Sequence, residues 1–144
     1  MKGIAFYAIL ALSMSQAQTP ATPPAIATVK AFACSFPLYA SVAWTTPPQV
    51  VSQSQQFTFR FDSIDLKKRS GRLVGTGGTT LVSVLATAVG VTLIEQTPLG
   101  NVNVTTIFAA GQQSRTFLAV HSRHIGDPTS PPTVSQNYGT CDAP

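Results

Sequence analysis

Two cysteines constrain this chain more than any other feature. Cys34 and Cys141 are its only cysteines, and they stand far apart in a sequence of 144 residues. In an oxidising compartment a single pair forms one disulfide. Redox-active pairs need close spacing, so a pair this distant is expected to be structural. The Cys34–Cys141 bridge then ties the beginning of the fold to its end. Closing a loop of about 100 residues stabilises the folded state by about 4.7 kcal/mol on the chain-entropy account.

The disulfide requires export, and the first residues supply the signal for it. Lys2 precedes an apolar run from Ile4 to Leu12, and Ser15-Gln16-Ala17 offers small side chains at the spacing of a cleavage site. We expect residues 1–17 to be a signal peptide cut after Ala17. The apolar run is shorter than the roughly 20 residues of a membrane helix, and the rival reading is an uncleaved anchor. Residues 18–27 are rich in proline and poor in bulk, as in a disordered leader. Residues 28–144 remain for one domain, with a C-terminal tail tethered by the disulfide. Only 10% of the chain is charged and the formal net charge is +4, too little and too dispersed for a nucleic-acid partner.

The domain reads as all-β. Phe57-Thr58-Phe59-Arg60-Phe61-Asp62 alternates strictly, placing three phenylalanines on one face. Ile64 and Leu66 then fall on the opposite parity, which predicts a bulge near Asp62-Ser63. Phe32, Cys34 and Phe36 alternate with small residues, so Cys34 should face the core. Pro37 is expected to end that strand, and residues 38–44 form a second one. Lys67-Lys68-Arg69-Ser70-Gly71, Thr76-Gly77-Gly78-Thr79 and Pro98-Leu99-Gly100-Asn101 read as turns. Residues 80–95 are rich in valine and leucine and should split into two strands between Ala86 and Gly90. Val102, Val104, Thr106 and Phe108 alternate with Asn103, Thr105 and Ile107, which puts Phe108 with the core phenylalanines. Gly111-Gln112-Gln113 leads into what reads as the final strand, Arg115 to His124. Seven or eight short strands with tight connections predict an antiparallel meander, curled into a β-barrel or folded as a sandwich.

The chemistry-bearing residues gather late in the chain. His121 and His124 are the only histidines. Three residues apart on a strand, they point to opposite faces and do not chelate one metal unless the backbone turns. Zinc normally takes at least three protein ligands, and Asp127 is the nearest other candidate, so no metal or other cofactor is expected. No serine lies in Gly-x-Ser-x-Gly, and Asp62 with Asp65 is the only close carboxylate pair, beside neutralising Arg60, Lys67 and Lys68. Lys67-Lys68-Arg69 with Arg72 reads as a solvated turn. Gly75-Thr76-Gly77-Gly78 lacks the lysine of a phosphate loop. Asn103-Val104-Thr105 matches the N-glycosylation pattern, but inside a strand.

A lipocalin likeness fails at its signature, because Val42 stands two residues before Trp44 where that family has glycine. Val120-His121-Ser122-Arg123-His124, followed by Ser135-Gln136-Asn137-Tyr138-Gly139-Thr140-Cys141, resembles the ending of small exported bacterial proteins of unknown function. Residues 59–64 and 103–108 look similar as well. The resemblance implies a periplasmic or extracellular location in bacteria and carries no activity with it.

The expected function is binding or structural support in the cell envelope or the secreted fraction, without catalysis. The expected site is His121, Arg123, His124 and Tyr138, suited to an anionic or carbohydrate ligand or to an envelope component. Two alternatives are a carrier of small apolar ligands with a hollow barrel, and a hydrolase or metal-assisted enzyme using His121 or His124.

Overall fold

A computed structural model describes residues 25–110 and 115–144. The expected signal peptide, most of the leader and the Gly111-Gln112-Gln113 turn lie outside these residues. A short 3-10 turn at Ala25–Thr28 precedes eight strands. They are β1 Phe32–Ala43, β2 Gln49–Asp65, β3 Ser70–Gly75, β4 Gly78–Thr87, β5 Gly90–Gln96, β6 Val102–Phe108, β7 Thr116–Asp127 and β8 Ser130–Asp142. Each pairs antiparallel with the next in sequence, and β8 returns to pair with β1, closing one sheet into a barrel.

The cysteine pair acts at this closure. Cys34 and Cys141 face each other across β1 and β8, and their sulfurs are bonded at 2.02 Å. The bridge links the first and last strands at the seam that makes the sheet continuous.

Eight strands leave an interior just wide enough for side chains to fill. Phe32, Phe36, Phe61 and Phe117 are wholly buried there, with Val84, Val91, Leu93 and Ile107. Phe32 meets Phe117 edge to face at 5.7 Å, and Phe59 meets Phe61 at 5.3 Å. Each such ring contributes about 1.5–3 kcal/mol by leaving water. The outer face of β2 and β3 instead carries Arg60, Asp62 and Arg72, with Arg72 Nε 2.7 Å from Asp62. A lipid-facing barrel carries apolar side chains on its outer band. Among the described residues, no helix is long and apolar enough to cross a membrane.

The predicted bulge is present: the β2–β3 register shifts between Asp62 and Asp65, and Ser63 takes φ 54°. Ile64 thereby returns to the core. Four expectations are corrected. Pro37 does not end a strand, because β1 runs through it at a register shift, and a bulge needs no ladder donor from proline. Gly139 lies opposite that irregularity, where a Cβ would come 1.9 Å from the Ser35 carbonyl oxygen. Arg115 to His124 is not the final strand: β7 is followed by β8, and the supposed tail is a full member of the sheet. Ile26, expected to belong to the leader, is 2% exposed and packs in the core. On β6 the core face is that of Thr105 and Ile107, leaving Phe108 on the outer side.

Candidate functional site

The register of β5 to β8 stacks the inward side chains in rows. The deepest of three successive rows joins Val91, Ile107, Ala119 and Gly139. The next joins Leu93, Thr105, His121 and Asn137, and the third joins Glu95, Asn103, Arg123 and Ser135. Two residues per step along each strand therefore take the interior from apolar, through neutral polar, to charged. The third row opens into a cleft of about 330 Å³ at one end of the barrel. Phe57 and Phe59 form one wall, Glu95, Asn103, His121 and Arg123 another, and the β3–β4 turn at Gly75–Gly78 forms the rim.

His121 sits at the base of this cleft and is 3% exposed. Its Nδ1 lies 2.8 Å from the Thr105 hydroxyl. Its ring packs against Phe59 at 5.0 Å, Phe57 at 5.4 Å and Phe36 at 5.8 Å. Burial, with a smaller contribution from the Arg123 charge, lowers its pKa from 6.5 to about 4. The imidazole is therefore neutral at pH 7 and a weak base. Asn137 supports the same strand by donating through Nδ2 to the His121 carbonyl at 3.0 Å, and its Oδ1 accepts from Gln55.

One row higher, Asn103 Nδ2 donates to Glu95 Oε2 at 2.6 Å. The Oδ1 of the same amide is buried with no hydrogen-bond partner among the described residues. Such an orphaned acceptor costs about 1–3 kcal/mol unless a donor reaches it. The Arg123 guanidinium lies 6.0 Å from the centroid of the Phe57 ring, at cation–π distance. Its neighbours in the row are an amide and a hydroxyl, Asn103 and Ser135. No described carboxylate lies within ion-pair distance of it.

The four residues expected from sequence do not form one site. His121 and Arg123 face inward and meet in the cleft. His124 is exposed on the opposite face of β7, as strand parity requires. Tyr138 is 40% exposed on the outer face of β8, where its hydroxyl donates to Gln136. It borders an apolar outer groove with Leu38, Phe108 and Leu118. Glu95, Asn103, Thr105, Asn137 and Phe57 complete the inner site and were not predicted. Glu95 carried a readable signal, because it shares parity with Leu93 and Val91 and so puts a charge on the apolar face of its strand.

The other polar motifs resolve locally. Asp65 Oδ1 accepts from the Lys67 and Lys68 amides at 2.9 Å, capping the basic turn. Its pKa is lowered chiefly by those bonds, and that of Asp62 chiefly by Arg72. Asn103 points into the barrel and is tied to Glu95, which makes it a poor glycosylation acceptor. Below the cleft, among Phe61, Val82, Leu93 and Thr105, the packing leaves no room for a water molecule.

No protein-family model matches the chain, and no curated protein or solved structure is significantly similar to it.

Proposed function

We propose that the chain is an exported β-domain that binds a small anionic ligand in the cleft and performs no catalysis. The reading rests on one observation above the others. Arg123 lines an open cleft of about 330 Å³ and has no carboxylate partner among the described residues. A guanidinium there presents a planar fork of donors suited to a carboxylate or phosphate. Phe57 beside it offers an apolar wall, and the orphaned Asn103 Oδ1 asks for a donor such as a ligand hydroxyl. Export is supported by the disulfide and by the signal-like first residues.

The competing readings fit less well. An imidazole with pKa about 4, bonded through Nδ1 to Thr105, is poorly placed to act as a base at neutral pH. An apolar carrier needs a hollow interior, and phenylalanines occupy that space.

The experiment is a thermal-shift panel of small carboxylates, sugar acids and neutral sugars. A ligand at 100 times its Kd stabilises the protein by about 2.7 kcal/mol, which is readily seen in Tm. Carboxylates should raise Tm in the wild type and leave Arg123→Gln unchanged. Equal shifts in both proteins, or none in either, would remove the proposal.

A further inference from the structure

β2 is far longer than β3. β3 pairs with β2 from Arg60 onward, and the β3–β4 turn ends that pairing at the rim of the cleft. Residues 49–59 of β2 are paired only with β1, so half of their backbone donors and acceptors face the open side. Such an edge is a template for another strand, and proteins guard it with charge or proline. This one has neither: residues 49–59 read Gln-Val-Val-Ser-Gln-Ser-Gln-Gln-Phe-Thr-Phe.

The open edge leads into the cleft. Phe57, Thr58 and Phe59 belong to both, and the Arg123 guanidinium lies over the Phe57 ring. We infer that the ligand is an extended peptide that adds as a strand to the open edge of β2 and delivers a carboxylate to Arg123. This rests on the reading of the cleft as an anion site and names the class of anion. Backbone hydrogen bonds along residues 49–59 hold the peptide without regard to its sequence, and the carboxylate supplies the selection. Charge decides between a foreign peptide and a second copy of this chain. Residues 31–59 contain no charged side chain, so pairing β2 with β2 of another copy brings no carboxylate from those strands to Arg123.

The test begins by selecting from a library of random decapeptides with free C-termini. The selected peptides should share an acidic residue or require a free C-terminal carboxylate. Arg123→Gln should weaken them at least tenfold. Methylating the backbone nitrogens of a selected peptide one at a time should then weaken binding tenfold or more at every second position. That alternation marks strand addition and needs no change to the protein. If methylation has no period of two while Arg123→Gln still abolishes binding, the cleft reading stands and strand addition is overturned. If no peptide is selected although small carboxylates raise Tm, strand addition likewise falls and the cleft reading survives. If neither peptides nor small carboxylates bind, both readings fall. If sedimentation shows a wild-type dimer that Ser54→Lys converts to monomer, a second copy occupies the edge and the peptide assignment is wrong.

Discussion

The two ends of the barrel are built from the same strands and do opposite things. At the closed end, Phe32, Phe61, Phe117, Ile64 and Ile26 fill the interior, and the disulfide joins β1 to β8. At the open end, the same columns of inward positions carry Thr105, His121, Asn103, Glu95 and Arg123, and space remains between them. One end gains stability from close packing. The other keeps polar groups partly unsatisfied, which a fold tolerates only when its stability is secured elsewhere.

Four measurements can break or sharpen that contrast. The largest effect is expected for Phe61→Ala or Phe117→Ala, each costing about 3–5 kcal/mol through lost burial and a residual cavity. The midpoint of urea unfolding reads it directly, and a cost below that of a mouth substitution would contradict the division. Next, removing the bridge with Cys34→Ala and Cys141→Ala together should cost about 2–5 kcal/mol, measured by the same unfolding curves.

The third measurement is the pH dependence of stability. The folded pKa of His121 lies below its unfolded value, about 4 against 6.5. Between these values the unfolded chain binds more protons, so stability is complete above pH 6.5 and is lost as pH falls toward 4. The loss amounts to about 3 kcal/mol and levels off below the folded value. Asp62, Asp65 and Asp127 have lowered pKa values as well, so their contributions disappear only at more acidic pH. His121→Gln should flatten the slope between pH 6.5 and 4 in a Tm-against-pH series. The smallest effect is expected for Arg123→Gln and for His124→Ala, each within about 0.5 kcal/mol of wild type. Arg123 touches the Phe57 ring and His124 is exposed, so neither substitution opens a cavity in the packed end.

The closed end was legible in the sequence because packing writes a simple pattern. Three alternating phenylalanines gave the face of β2, the parity of Ile64 gave the bulge, and the cysteine pair gave the closure. The open end was less legible for the same reason. On β6 the outer face, Val102, Val104 and Phe108, is more apolar than the inner face at Asn103 and Thr105, so parity pointed the wrong way. The polar inward columns break the alternation that identifies a core. Strand parity puts His121 and Arg123 on the face opposite His124, as the structure has it, yet the site expected from sequence groups all three with Tyr138. Tyr138 is not placed by the sequence, because the proline-rich stretch before it has the look of a tail and hides the register of a strand. A paired strand fixes its side chains by register, and β8 turns Tyr138 outward while turning Asn137 in. Glu95 and Asn103 lie on the two strands before β7, and only the register of β5, β6 and β7 puts them in one row with Arg123.

The most direct measurement of the division is a side-chain NMR titration with benzoate, an aromatic carboxylate suited to the guanidinium and the Phe57 wall. The account predicts saturable shifts at Arg123 Nε, the Asn103 amide and the Phe57 ring, with the methyls of Val84 and Ile107 unmoved. Shifts centred on those buried methyls, or an Arg123 resonance indifferent to benzoate, would contradict it.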